Sequence, residues 1–290
     1  MSDLPRPEDV ELLLANGCLR TGDLVERCAA AAGAGFTTIG WSGREYSRLR
    51  GEGWTDAEMA AVVRDHGVRL TEIETIAGFA DAGAGRTDDP TRARHAGREA
   101  RDAVYRMADV FGARHVQAVG SFVGPLEPDV VDAFARLCDE AAEHGLLVAL
   151  EFVPCTNIAD AGTALRIVTE AGRANGGLCV DIWHHTRGAN DVALLEAIPG
   201  EHVVMIQLDD GPIVPRHPDF LTDTVHHRDL PGHGEFDITG FLRLLWRNGA
   251  RAPVSVEILD DRMHALAPAE AARRIGDASR AAVAAALAAG

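Results

Sequence analysis

The chain has 290 residues, 47% hydrophobic and 25% charged, an ordinary globular balance long enough for one large barrel domain. Its formal net charge is −16, and the excess acid is spread along the chain, which argues against a nucleic-acid partner. All 28 basic residues are arginine, so Schiff-base chemistry through a lysine amine and a Walker-type phosphate lysine are both excluded.

Short apolar, β-branched runs alternate with helical patterns from end to end. The first run, ELLLANG (11–17), precedes a helix from Thr21 to about Gly33. GFTTIGW (35–41) reads as the second strand, and a helix begins near Thr55, where T-D-A-E forms a capping box. VRLTEIETI (68–76) is the third strand, followed by a helix from about Thr91 to Phe111. RHVQAVG (114–120), a helix from about Pro128 to His144 and LLVALEF (146–152) complete the first five strands. A helix from Asp160 to Gly172 leads to GGLCVDIW (176–183), then a short helix over 191–198 and HVVMIQL (202–208). A helix from Asp237 to Gly249, the strand PVSVEIL (253–259) and a helix from about Pro268 to Ala289 close the pattern.

Eight β/α repeats in this order predict an α/β fold, a closed (β/α)8 TIM barrel forming a single domain over 1–290. An open doubly wound sheet fits less well, because no strand leads into a G-x-G-x-x-G turn. Gly33, Gly67, Gly145 and Gly249 stand shortly before strands, where helix C-caps are expected. Two connections, 77–90 and 209–236, are too long for simple turns and fall on the face where barrel active sites form.

The five cysteines, Cys18, Cys28, Cys138, Cys155 and Cys179, include no C-x-x-C pair, and neither disulfides nor a cysteine metal cluster is expected. The start MSDLPRPEDV lacks a basic stretch followed by an apolar one, and no apolar run is long enough to span a bilayer. The expectation is a cytoplasmic chain without a membrane partner.

Four polar residues end four successive strands: Glu151, Asp181, Gln207 and Glu257. In a parallel barrel these ends open on one face, so three carboxylates and an amide oxygen would converge. Burying carboxylates together is costly unless a cation compensates them. Oxygen ligands of this kind suit one divalent metal ion, with Mn²⁺ or Mg²⁺ favoured and Co²⁺ or Zn²⁺ as alternatives. Glu72 and Glu74 share one face of the third strand; Glu74 lies nearer the mouth as a substrate-hydroxyl ligand, and Glu72 reads as a buried partner for an arginine. Trp183, Trp41 and Phe152 offer an apolar wall, Asp209 stands beside the metal ligands, and Arg216 with His217 can take a phosphate or carboxylate.

ALEFVP around Glu151, VDIWHH around Asp181, VSVEIL around Glu257 and LPGHGEFD (230–237) resemble the xylose-isomerase-like barrels, the sugar phosphate isomerase/epimerase family. The resemblance covers essentially the whole barrel. It implies Glu151, Asp181, Gln207 and Glu257 as metal ligands, although the family more often carries His where Gln207 stands. It implies Glu151 and Glu257 as the residues that exchange protons with substrate, and His184 as a hydrogen-bonding or proton-shuttling group. Arg228, with His185, Trp183, Glu74 and Asp209, would contact substrate. The implied activity is a divalent-metal-dependent isomerase or epimerase of a small sugar, polyol or hydroxy-ketone, working through a metal-stabilised enediolate. A dehydratase acting on a keto-inositol or dehydroshikimate-like substrate uses the same parts. An endonuclease-IV-like phosphodiesterase needs histidines that the early strands lack. Members are often dimers or tetramers, so a homo-oligomer is a further expectation.

Overall fold

In the computed structural model, which describes residues 4–80 and 98–289, eight apolar runs form eight parallel strands. They are β1 (Leu12–Leu14), β2 (Thr38–Ser42), β3 (Arg69–Ala77), β4 (His115–Val119), β5 (Leu147–Glu151), β6 (Gly176–Asp181), β7 (Val203–Leu208) and β8 (Val254–Val256). Each pairs with the next and β8 pairs with β1, so the sheet closes in sequence order. Both faces of every strand are covered, which is why the runs are nearly continuous in apolar residues. The predicted fold class is the observed one.

The helices that follow the strands bury one apolar stripe each. Phe241, Leu242, Leu245 and Trp246 of the helix Ile238–Arg247 are buried, as are Ala271, Ala272 and Ile275 of the final helix Pro268–Ala288. The Thr55 capping box forms as predicted: Glu58 N donates to Thr55 Oγ1 at 3.2 Å, and Thr55 N donates to Glu58 Oε2 at 2.8 Å. Gly67, Gly145 and Gly249 take positive φ before their strands, but before β2 it is Gly35 that does so (φ 82°), not Gly33. Among the described residues no helix is long and apolar enough to cross a membrane.

Short helices escaped the sequence reading. One, Gly43–Gly51, starts directly after β2, with Ser42 Oγ accepting from Glu45 N. Another, Ile182–Arg187, starts directly after β6, so that strand ends at Asp181 and not at Trp183. Phe220–His226 and Asp261–His264 lie beyond β7 and β8. Most of the predicted connection 77–90 and the start of the helix predicted from Thr91 lie outside the described residues; that helix is described over Arg98–Phe111.

The barrel interior mixes apolar and polar side chains. Ala149, Cys179 and Met205 pack together from β5, β6 and β7. Glu72 of β3 and His115 of β4 are adjacent in register and fully buried, with His115 Nε2 at 3.5 Å from Glu72 Oε2 and 3.0 Å from Met205 Sδ. The arginine partner expected for Glu72 is thus a histidine. Gly40 of β2 makes room for it: a Cβ there would stand 2.5 Å from Glu72 Oε1. Cys18, Cys28, Cys138 and Cys179 are buried and Cys155 is partly buried, all as free thiols.

Candidate metal and catalytic site

The strand ends deliver their polar residues to one mouth. Asp181 of β6 stands beside Gln207 of β7, and Glu151 of β5 lies one pleat lower, opposite Cys179. Glu257 follows the last residue of β8, with its N–H donating to Leu208 O at 3.2 Å. Asp181 also caps the helix Ile182–Arg187, its Oδ1 accepting from Trp183 N at 2.6 Å. That cap turns the other oxygen, Oδ2, into the barrel.

A chain of contacts then runs through Asp181. On one side His184 Nε2 lies 3.5 Å from Asp181 Oδ2 and 3.3 Å from Glu151 Oε1. Glu151 Oε2 accepts from Gln117 Nε2 at 2.8 Å. On the other side Arg228 Nη1 lies 3.4 Å from Asp181 Oδ2 and 3.0 Å from Glu257 Oε2, and it also bonds Asp209. The sequence Glu151–His184–Asp181–Arg228–Glu257 is almost wholly removed from solvent.

Burial sets the protonation of this network. It pushes the Glu151 carboxyl up against the lowering effect of His184, and raises Glu257 to about 7 against that of Arg228. Asp209 goes well above the usual carboxylate range through burial and the nearby Asp181 charge. Burial disfavours the charged form of His184, but Asp181 and Glu151 outweigh it and the imidazole is raised.

Two carboxylates and one imidazole meet the geometry of a cation site. Glu151, Asp181 and His184 each offer a ligand atom, and these atoms all lie within 4.8 Å of one another. Gln207 is buried beside them, with its Oε1 accepting from Cys179 Sγ at 3.3 Å and its Nε2 without a partner among the described residues. Glu257 is held on Arg228. Of the four strand-end ligands predicted, Glu151 and Asp181 therefore come together, with His184 as the third. The donor set fits a divalent ion: carboxylates suit Mn²⁺ and Mg²⁺, and the imidazole adds affinity for Zn²⁺ and Co²⁺.

The other predicted residues separate. Glu74 is half-buried, accepts from Asn16 N at 2.9 Å, and shares with Glu257 a cavity of about 550 Å³. Trp183 is fully buried, so it presents no face to a substrate; its indole N–H donates to Thr224 Oγ1 at 3.0 Å and its ring lies under Arg228. His185 lines an outer groove with Ile182, Leu195 and Phe241, away from the mouth. Its position one residue after His184 rotates it by roughly 100° around a helix. Trp41 and Phe152 are also buried. The apolar surface at the mouth comes instead from Phe122, Cys155 and Phe220, packed on Ala77, Val119 and Val153. Arg216 is occupied by Asp229 Oδ2 at 2.6 Å and by His227 O, so it is not a free anion site.

The connection 209–236 is a formed surface. Asp210 accepts from the N–H groups of Gly211, Gly232, Gly234 and Phe236 at 2.8–3.0 Å, which folds LPGHGEFD back over the barrel end. Asp223 accepts from Arg216 N, His217 N and Arg187 Nε. Together they place Arg228 over Asp181. Gly234 has no space for a side chain, since a Cβ would collide with the Asp210 carboxylate and meet Gly211 N at 2.5 Å. Gly234→Ala is expected to cost about 1–3 kcal/mol by overpacking, read as a lower denaturant midpoint at an unchanged slope.

Over residues 28–281 the sequence matches the family described as xylose isomerase-like TIM barrel. The chain belongs to that family. Among curated members, 3-dehydroshikimate dehydratase of Pseudomonas aeruginosa is 32% identical over 133 residues, 46% of this chain and 21% of that protein. Inosose isomerase of Halalkalibacterium halodurans is 33% identical over 150 residues, 51% of each chain. The matches thus span about half or less of these relatives. Among solved structures, the IOLI protein with a bound zinc atom superposes with a TM-score of 0.79 at 19% identity, covering 95% of this chain and 98% of that one. At that identity the likeness speaks for the xylose isomerase-like fold alone.

Proposed function

We propose that this barrel is a divalent-metal-dependent isomerase or epimerase of a small sugar, polyol or hydroxy-ketone. The observation that carries the reading is the buried chain Glu151–His184–Asp181–Arg228–Glu257, which sets two glutamates on either side of one carboxylate centre. Glu151, Asp181 and His184 would hold the ion, and Gln207 and Glu257 would complete its ligands. When bound, the ion supplies Lewis acidity that makes a C–H beside a carbonyl easier to ionise. Glu257 reaches the cavity and would take that proton, and Glu151 would return one from the other side. Arg228 fixes the Glu257 carboxylate and balances the charge of Asp181 and Asp209. Phe122 and Phe220 give the carbon skeleton an apolar surface. The inosose isomerase relative is of this reaction class.

The test is exchange of substrate C–H for deuterium in ²H₂O, followed by NMR across a panel of ketoses and keto-polyols. Exchange that stops on chelation and returns with Mn²⁺ supports the proposal. Exchange that survives full metal removal would sink it.

One observation favours a lyase as a second reading. Burial, reinforced by Glu257 and Glu72, pushes the Glu74 carboxyl well above the usual range, which favours its neutral form on the cavity wall. Such a group can give its proton to a departing hydroxyl. The relative named 3-dehydroshikimate dehydratase carries out a reaction of that class. Mass spectrometry separates the two readings, because a dehydrated product is lighter by one water.

A further inference from the structure

The cavity that Glu257 and Glu74 share opens toward the ends of β1 and β2, and four arginines stand on its wall beside three carboxylates, Glu45, Glu74 and Glu257. Arg20, Arg27, Arg44 and Arg48 all line it, in a chain whose formal charge is −16. Two of them are already committed. Arg27 Nη1 bonds Glu45 Oε2 at 2.8 Å, and Arg48 Nη1 bonds Glu52 Oε1 at 2.6 Å at the surface. Arg27 keeps one more donor, a buried Nε with no partner among the described residues. Arg20 and Arg44 make no ion pair with any described carboxylate.

The backbone adds to this field. The helix Gly43–Gly51 begins at the cavity wall, where both its N-cap Ser42 and Arg44 line the space. Its first-turn N–H groups carry the positive end of the helix dipole. A neutral polyol is ordinarily held by hydroxyl, amide and carboxylate side chains. Two uncommitted guanidinium groups beside a helix N-terminus are instead the donors that recognise a carboxylate or a phosphate. The opposite side of the mouth, at the ends of β3, β4 and β5, is the apolar patch of Phe122 and Phe220. The mouth therefore differs from end to end, with free guanidinium donors at one side and apolar surface at the other.

We infer that this cavity is an anion-binding subsite, and that the substrate worked on by Glu257 carries a carboxylate or phosphate seated between Arg20 and Arg44. The second half of that statement rests on the function proposed above; the first half does not.

The test is calorimetric titration of the full chain after chelation, with cyclohexanecarboxylate, inorganic phosphate and cyclohexanemethanol as probes. At least one anion should bind the unaltered protein, and the neutral alcohol should not bind. Affinity should fall by about tenfold or more in an R20Q/R44Q double variant, the scale expected for lost charge-assisted hydrogen bonds. Both positions are exposed, so circular dichroism should show an unchanged fold. Glu257→Gln should retain the anion. A preference for the carboxylate or for phosphate tells which group the substrate bears. Equal anion binding by the double variant, no anion binding at all, or binding of the alcohol as tight as that of the anions overturns the subsite. Loss of deuterium exchange with intact, arginine-dependent anion binding would count against the proposed reaction and leave the subsite standing.

Discussion

Glu257→Gln is expected to lower solvent deuterium exchange by about 10²–10⁴-fold while the barrel stays folded, the range by which a positioned acid or base contributes. The amide keeps an oxygen for Arg228, whose Nη1 lies 3.0 Å from Glu257 Oε2, so the local packing survives. What disappears is the proton acceptor on the cavity wall. Glu257 is the member of the buried network that also lines the cavity with Glu74. Glu74→Gln then divides the two reaction classes. An isomerase should lose little, because Glu74 handles no proton in it. A lyase should lose product formation while exchange beside the carbonyl continues. Exchange in Glu257→Gln within about fivefold of the unaltered protein would remove Glu257 from the chemistry, whatever the fate of the metal ligands.

The strands were legible because a parallel barrel buries both faces of each one, and the resulting apolar runs are hard to mistake. The polar residues closing β5 and β6, the one next to last in β7 and the one just past β8 were legible for the same reason: each breaks a run that has no other use for a polar side chain. Side-chain direction was not legible. GGLCVDIW turns apolar again after Asp181, so the strand reads too long; the signal missed was Asp181 as a helix N-cap, which turns Trp183 inward and sends His185 to an outer groove. The period-two reading of Glu72 and Glu74 placed both correctly inside the barrel, yet it could not show that His115 would supply the partner of Glu72. For Gln207, sequence gives the position of the amide and nothing about its rotation toward Cys179. LPGHGEFD was recognisable as a motif, while the Asp210 carboxylate that gathers its N–H groups lies 20 residues before its start and carries no local mark. The arginines of the anion cavity come from separate segments, so only the closed barrel brings them together.

Arg228→Met should lower the melting temperature of the metal-free protein more than most single changes at the mouth. The arginine is 1% exposed and is the cation that touches Asp181, Asp209 and Glu257 at once. Its Nε donates to Thr224 O at 3.1 Å, and its guanidinium carbon lies 5.4 Å from the centre of the Trp183 ring. Methionine fills much of the stem volume, so the loss is electrostatic and not a cavity. Leaving buried carboxylates without their cation costs about 3–5 kcal/mol. For a domain of this size each kcal/mol corresponds to roughly 2–4 °C. The sign of the metal effect is the sharper measurement. Arg228 and a divalent ion compensate overlapping carboxylates, since Asp181 faces both Arg228 and the Glu151–His184 pair. Added Mn²⁺ should therefore raise the melting temperature of Arg228→Met by more than it raises that of the unaltered protein. Arg228→Lys should fall between them, because a point charge can face one or two of the three acids but cannot span them as the planar guanidinium does. Equal Mn²⁺ shifts in all three proteins would show that the arginine and the ion do not share carboxylates, and the network through Asp181 would have to be redrawn as two independent sites.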